Sequence, residues 1–365
     1  MTQVSPVTAG EAAVGRATTS LREVLRARAA AHAIPLKAAL ELTKRCNLSC
    51  YQCYVSQPGV ELGTERVVEI VGELADAGCM SVTLTGGEVG LRRDFLLIAG
   101  EVKRQRMQLT VLTNGTAFDD EVVRGLARLK PSLVAVSFYG ATAAAHEQVT
   151  GIPGSFERAV RTVRLLRSLG VRCRLHGVLL KDTCDQFAAI AELAEAMGCD
   201  WRFDPSVAPT EEGDLDVVSH RVPVERLSEF FRHPLVEDRF RKHAASQHKA
   251  LTPSARTAHC PAGMTAVFVT ADGDVFACMG FPPSFGNVAG RSFREVWHSP
   301  AAEAHRRRMR QPLAGCQECE LSRYCTVRCP RVALVEDGDV SGPSKRACEL
   351  AGMVRDWREH LLEVG

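Results

Sequence analysis

Ten of the 14 cysteines fall into two groups. Cys46, Cys50 and Cys53 lie near the start; Cys260, Cys278, Cys316, Cys319, Cys325, Cys329 and Cys348 lie near the end. Thiolates are soft ligands that suit zinc and iron–sulfur clusters. In a long chain without a secretory signal, clustered cysteines point to metal rather than to disulfides. The first group reads ELTKRC-NLS-C-YQ-C, so three thiols can converge from one loop. Three is one short of a closed zinc site or a cubane cluster. An open iron is useful where a substrate must bind it. The other reading is a zinc knuckle with a distant fourth ligand.

The elements that must position this loop are legible as β-type runs at Lys37–Thr43, Met80–Thr85, Leu109–Thr113, Leu133–Phe138, Val171–Leu180 and Trp201–Asp204. Helical periods separate them: Thr64–Ala77, Asp94–Arg106, Asp119–Leu129, Phe156–Leu169 and Gln186–Met197. Thr64–Ala77 has its expected face on Val67, Ile70, Val71 and Leu74, and a further amphipathic helix is expected near the N-terminus at Ser20–Ala33. In Phe156–Leu169 the expected face is Phe156, Val160, Val163, Leu166 and Leu169. Gly78, Gly170 and Gly198 are the expected left-handed stops. Six alternations of this kind predict an α/β fold with a parallel sheet, either doubly wound or a barrel. In both, chemistry sits at the carboxyl ends of the strands.

Those ends are polar: Thr85-Gly86-Gly87-Glu88, Thr113-Asn114-Gly115 and Ser137-Phe138-Tyr139-Gly140. Paired glycines let backbone approach a ligand, and Glu88 can accept from an amino group. Together with the cysteine loop, residues 36–205 resemble the radical S-adenosylmethionine (SAM) superfamily, whose mark is CxxxCxxC after strand one and GGE after strand two. The resemblance includes the TNG turn and His146–Phe156. It implies a partial (β/α)6 TIM-like barrel. It also implies a 4Fe–4S cluster on Cys46, Cys50 and Cys53, with SAM on the fourth iron. Gly86, Gly87 and Glu88 would hold the SAM amino group, while Ser137 and Asn114 would face its ribose and carboxylate. The reduced cluster would cleave SAM to a 5′-deoxyadenosyl radical that abstracts hydrogen from substrate. Two positions depart from the pattern: Gln52 replaces the usual aromatic near the adenine, and Val89 the usual proline.

The second group runs Cys260-x12-Gly273-x4-Cys278, then Cys316-x2-Cys319-x5-Cys325-x3-Cys329, then Cys348. A double zinc ribbon is the plain alternative. The spacing, with Gly286-Asn287-Val288 and Ser292–Trp297, resembles the SPASM domain, an auxiliary iron–sulfur module of radical SAM enzymes that modify peptides and proteins. It implies two further clusters: Cys260, Cys278 and Cys329 on the first, Cys316, Cys319, Cys325 and Cys348 on the second. A fourth ligand of the first, cysteine in some members, falls on Ser254 here; His259 is a substitute. Met279 stands where sulfatase-maturing relatives carry an aspartate base, against formylglycine formation. A hairpin is expected at Ala266–Thr270 and Val275–Ala277.

The division expected is 1–35 tail and helix, 36–205 barrel, 206–258 bridge, 259–350 SPASM and 351–365 closing helix. The bridge holds one helix at Val224–Phe231, and the closing helix is placed at Met353–Leu362. The 365 residues carry a net charge of +2, which argues against nucleic-acid binding by bulk charge. No long apolar run and no signal peptide is present, so a cytoplasmic enzyme without membrane contact is expected. Cys79, Cys173, Cys184 and Cys199 read as inert buried thiols. His176 reads as a core or rim histidine. Tyr139 and Asp204 are the candidates to touch substrate, and His305–Arg310 reads as a solvated helix face.

The function expected from the resemblance is maturation of a ribosomally made peptide, by crosslinking or oxidation, as in the pyrroloquinoline-quinone and mycofactocin maturases. Only about 36 residues precede strand one, too few for a winged-helix peptide-recognition domain. A separate leader-recognition protein is therefore expected, with a flavodoxin- or ferredoxin-type electron donor. The alternative is a radical SAM dehydrogenase or epimerase of a small natural-product intermediate. The rival outside enzymes is a zinc-stabilised binding protein.

Overall fold

In the computed structural model, the described residues are 21–55, 60–239 with Gly59, 260–325 and 328–363. Ser254 and His259 lie outside them. Six parallel strands form the barrel sheet: β1 (Lys37–Glu41), β2 (Ser81–Thr85), β3 (Gln108–Thr113), β4 (Leu133–Ser137), β5 (Cys173–Val178) and β6 (Asp200–Asp204). Their order in space is their order in sequence. A doubly wound sheet needs a reversal of order, and there is none, so the sheet is a singly wound partial barrel. It does not close: β6 is one edge, and β1 pairs outward with a seventh strand.

That strand, β7 (Ala266–Val269), turns into β8 (Asp274–Phe276), the hairpin expected from the Ala271–Asp274 turn. With β9 (Gly286–Asn287) they extend one sheet to nine strands among the described residues. The barrel and the cysteine-rich region are thus hydrogen-bonded through β1 and β7 in parallel register, Lys37 opposite Ala266.

The helices form where apolar periodicity and caps agree. α1 is Leu21–Ala31, and α2 (Thr64–Asp76) buries Val67, Ile70, Val71 and Leu74, the expected face. Then come α3 (Phe95–Arg104), α4 (Asp120–Arg128), α5 (Ala143–Thr150), α6 (Ser155–Ser168), α7 (Phe187–Ala196) and α8 (Val224–Phe231). Gly78, Gly170 and Gly198 all take positive φ at the predicted stops. In α6 the face is rotated from expectation: Ala159, Val163 and Leu166 are buried, whereas Leu169 caps the helix end and is exposed. Beyond the hairpin lie α9 (Phe293–Trp297), α10 (Pro300–Met309), α11 (Pro330–Asp337) and α12 (Lys345–Glu363). The last starts eight residues before the expected Met353, so Cys348 is helical. No helix among the described residues is long and apolar enough to cross a membrane.

One surface expectation is corrected. His305 and Arg306 are buried, not solvated. Arg306 lies over the Trp297 ring at 4.3 Å and donates to the Gly263 and Trp297 carbonyls at 2.9 and 2.7 Å. The charge run concealed a guanidinium that bridges the Gly263 turn and the end of α9 by hydrogen bonding. Trp297 in turn donates to the Ala33 carbonyl at 2.6 Å, tying the cysteine-rich region to the start of the barrel. Cys79, Cys173, Cys184 and Cys199 are buried, as expected.

Candidate active site

The carboxyl ends of β1 to β5 enclose a cavity of about 220 Å³. Cys46, Cys50 and Cys53 line it from the loop after β1. Thr85, Gly86 and Gly87 line it after β2, Thr113 and Asn114 after β3, Ser137 and Tyr139 after β4. Seven of the strand-end groups therefore share one rim: Thr85, Gly86, Gly87, Thr113, Asn114, Ser137 and Tyr139.

The glycines are required by close packing. Gly86 has φ +145, and a Cβ there would meet the Thr43 carbonyl oxygen at 2.3 Å. A Cβ on Gly87 would meet the Arg45 carbonyl at 2.4 Å. These contacts press the β2 turn against the chain that enters the cysteine loop, with Gly87 and Glu88 amides donating to the Thr43 and Arg45 carbonyls. Only glycine leaves that approach open.

Glu88 is buried at the end of the β2 turn. It is 1% exposed, and its carboxylate is committed to the Thr113 hydroxyl at 2.6 Å, the Asn114 amide at 2.7 Å and the Gly90 amide at 2.9 Å. Burial pushes its carboxyl up, against the hydrogen bonds from Thr113, Gly90, Asn114 and Gly115. Its carboxylate stands behind the cavity wall, next to the lining residues Gly87 and Asn114. A free carboxylate would have been costly in this buried place, and the β3 turn satisfies it instead. Its effect on the site is through Asn114, whose amide it holds. Asn114 donates to the Asn47 side chain at 3.0 Å and to Cys46 Sγ at 3.7 Å.

The thiols are mutually close in electrostatic terms. Burial, then Cys53 and Cys46, push Cys50 up to about 12. Burial also raises Cys46, with Glu88 and Cys53 adding to it while the Leu48 amide, 3.4 Å from its sulfur, favours thiolate. Cys53 is raised by burial and by Glu211 and Glu41. Three thiols around one cavity with amide donors on sulfur fit an iron–sulfur cluster, whose thiolates are tuned by such donors. Among the described residues, no three His, Cys, Asp or Glu side chains stand close enough to hold a single metal ion.

Two cavity walls carry polar atoms shielded from solvent with no hydrogen-bond partner among the described residues: Gln52 Oε1 and His176 Nε2. Both suit a ligand with matching groups. Tyr139 is hydrogen-bonded to Ser137 and Gln52, and burial pushes its hydroxyl far up, so it is a neutral wall. Asp204 is not brought in. Its carboxylate accepts from the Ser206 amide at 3.1 Å and does not line the cavity.

Sequence reasoning missed three neighbours. Tyr54 lines the cavity beside Cys53. Glu41, inside strand β1, is pushed up to about 7 by burial and by Glu211, and accepts from the Ala271 amide at 3.1 Å. Lys44 pairs with Glu211 at 3.8 Å. An acidic residue within an apolar strand was the available signal for Glu41.

The second group of thiols forms two neighbourhoods. Burial pushes Cys260 up to about 11, and Cys278 and Cys329 add to it, while Arg328 pulls the other way. Cys348 is raised by burial, then by Cys316 and Cys319, again with Arg328 opposing. Of the sets inferred from the resemblance, 260/278/329 and 316/319/325/348, Cys260 feels Cys278 and Cys329, and Cys348 feels Cys316 and Cys319; Cys325 lies five residues before α11. Arg331 crosses between them and the bridge, donating to the Gly280, Pro209 and Thr210 carbonyls at 2.7, 3.1 and 2.5 Å.

Residues 40–194 match the family model of the radical SAM superfamily, and residues 260–320 match that of the SPASM iron–sulfur cluster-binding domain. An AdoMet-dependent heme synthase of Methanosarcina barkeri is 29% identical, over 84% of this chain and 94% of that protein. The antilisterial bacteriocin subtilosin biosynthesis protein AlbA of Bacillus subtilis is 26% identical, over 80% of this chain and 66% of that protein. A PqqA peptide cyclase of Granulibacter bethesdensis is 25% identical, over 87% and 88%. In fold, Streptococcus suis SuiB bound to its precursor peptide SuiA superposes with a TM-score of 0.68 at 19% identity, over 90% of this chain and 80% of that one. The chain thus contains a radical SAM domain, of the kind that binds a 4Fe–4S cluster and SAM, and, on the edge of its barrel sheet, a SPASM iron–sulfur cluster-binding domain.

Proposed function

We propose that this enzyme cleaves SAM reductively and abstracts hydrogen from a peptide, in the maturation of a ribosomally synthesised peptide. The observation that carries the peptide reading is the alignment of 87% of this chain with a PqqA peptide cyclase, alongside the likeness to AlbA. When bound, the cluster and SAM supply a carbon radical able to take hydrogen from a strong C–H bond.

Cys46, Cys50 and Cys53 would hold that cluster. Gly86 and Gly87 leave room for SAM at the backbone, and Asn114, Ser137 and Gln52 offer it polar contacts. Tyr139 closes one wall and helps keep water out. Cys260, Cys278 and Cys329 would hold one auxiliary cluster, and Cys316, Cys319, Cys325 and Cys348 the other. A leader-recognition protein and a flavodoxin- or ferredoxin-type donor complete the reading, in the cytoplasm.

A second reading has its own support. The heme synthase aligned at 29% identity over 331 residues favours a small-molecule substrate.

The test is anaerobic purification, reconstitution with iron and sulfide, and incubation with SAM and dithionite. Wild type yields 5′-deoxyadenosine and Cys46→Ala does not. Peptides encoded beside the gene are then added, and loss of hydrogen mass from one of them supports the peptide reading. Stimulation by a heme precursor alone supports the second reading. Zinc in place of iron, with no 5′-deoxyadenosine, overturns both.

A further inference from the structure

Along β5, Cys173, Leu175 and Gly177 are buried, and Arg174, His176 and Val178 alternate with them on the other face. His176 and Val178 line the cavity, so that face is the inner one. Parallel register sets His176 beside Ser137 of β4 and Arg202 of β6. Arg202 shares the inner face. Asp200, two residues before it, bonds Arg174 at 2.8 Å, whereas Phe203 packs outward on Phe187 and Phe230, with ring centroids 6.2 Å away in each case. Neighbouring strands stand about 4.8 Å apart, so the row Ser137, His176, Arg202 runs roughly 10 Å from the cavity wall to the edge strand β6.

Two members of this row are unspent. His176 Nε2 is shielded from solvent and has no hydrogen-bond partner among the described residues. Burial, then the Arg202 charge, hold its pKa below the usual value, with Asp204 opposing, so the ring is neutral at pH 7 and Nε2 can carry the proton. Arg202 is exposed. The acids on its own strand are engaged elsewhere: Asp200 by Arg174 and Arg239 at 2.8 and 2.9 Å, Asp204 by the Ser206 amide at 3.1 Å. A shielded nitrogen without a partner is costly unless a ligand supplies one. A guanidinium fork takes a carboxylate through two hydrogen bonds, and an imidazole N–H adds a third. A phosphate carries more charge than one guanidinium and one neutral imidazole can match.

We propose that Arg202 and His176 form a substrate subsite that binds a carboxylate at the β5–β6 side of the cavity, Arg202 by its fork and His176 by Nε2–H. The inference deepens the function proposed above and rests on the reading that substrate enters this cavity. On the peptide reading the carboxylate belongs to an acidic side chain; on the second reading it belongs to a small carboxylic acid.

The test begins with the reconstituted wild-type enzyme and phenylglyoxal, which modifies accessible guanidinium groups. Glutarate is the probe and glutaramide its uncharged control, and mass mapping reads each arginine. Glutarate should slow modification of Arg202 several-fold and leave exposed Arg307 unaffected. Glutaramide should protect neither, and protection should weaken in His176→Ala. Equal rates at Arg202 with and without glutarate overturn the inference. SAM alone protecting Arg202 as fully as glutarate also overturns it, because the pair would then serve SAM. The second arm uses whichever substrate stimulates 5′-deoxyadenosine formation. Arg202→Gln should raise its KM roughly tenfold with a smaller change in kcat, and Arg202→Lys should recover part of the loss. For a peptide, one Glu→Gln or Asp→Asn replacement in the substrate should reproduce the KM effect in wild type and add nothing in Arg202→Gln. For a small acid, its amide should do the same. A stimulating peptide whose acidic residues are all replaceable without effect overturns the inference alone. Protection by glutarate, with stimulation by a small acid and by no peptide, upholds the subsite and overturns the peptide reading.

Discussion

The Glu88 carboxylate accepts a 2.6 Å hydrogen bond from the Thr113 hydroxyl, tying the end of β2 to the end of β3 beneath the cavity. The same carboxylate holds the Asn114 amide, so the turn that faces the cysteine loop is set by a residue buried behind it. Glu88→Gln presents an amide donor to the Asn114 or Gly90 amide and leaves one of them unpaired. The expected cost is about 1–3 kcal/mol in denaturant unfolding of the cluster-free chain. SAM affinity, read by equilibrium dialysis on the reconstituted enzyme, should weaken as the turn loosens. Unchanged stability would show that the carboxylate is dispensable to the turn.

Gly86 faces a harder limit, because a methyl there meets backbone rather than a movable side chain. Gly86→Ala should shift the β2 turn away from the chain entering the cysteine loop. Misplacement of that order costs roughly a hundredfold in rate. The readout is 5′-deoxyadenosine per minute at equal iron content, and a rate within threefold of wild type would contradict the close approach.

His146 gives a pH dependence. It packs against Phe138, Tyr139 and Phe156, and burial pushes its pKa down to about 4, with Glu147 opposing. The unfolded chain binds that proton near the usual histidine value, the folded chain only near 4. Below about pH 6.5 the unfolded state therefore holds more protons, and stability falls as pH falls, until both states are protonated below about 4. The full span is roughly 3 kcal/mol. Unfolding midpoints from pH 7.5 to 4.5 should show this slope, and His146→Gln should flatten part of it.

Arg306 should act as a structural cation. Its pKa is pushed down to about 10 by burial and Arg310, with Glu303 opposing, so it remains charged at neutral pH. Arg306→Met strands the Gly263 and Trp297 carbonyls and removes the ring contact. About 2–3 kcal/mol of stability should be lost by thermal or denaturant unfolding. An exposed arginine would change it by far less, which makes Arg307→Met the matched control.

Combined replacement of Cys46, Cys50 and Cys53 by alanine should remove about four irons per chain and leave the SPASM iron in place. Iron analysis with EPR measures this. Loss of all iron would mean that the two regions load as one unit.

The cysteine spacings and the glycine pair were legible because ligand geometry acts over a few residues of contiguous chain. Six βα units, the face of α2 and the hairpin after Cys260 were legible for the same reason: periodicity and turn chemistry are local. The choice between a doubly wound sheet and a partial barrel was not local. It depended on β1 to β6 pairing in sequence order without a reversal, with β7 joining outside β1. Long-range partnership also decided the single residues. The hydrogen bonds that hold Glu88 come from Thr113 and Asn114, 25 and 26 residues away. Arg306 was read as solvated because the Trp297 ring and the Gly263 carbonyl that bury it belong to other elements. Sequence by itself determined which atoms can bind iron and which backbone can bend close to a ligand. Tertiary structure alone decided which polar groups are spent on the protein itself and which face the cavity, because desolvation and pairing depend on neighbours brought from elsewhere in the chain.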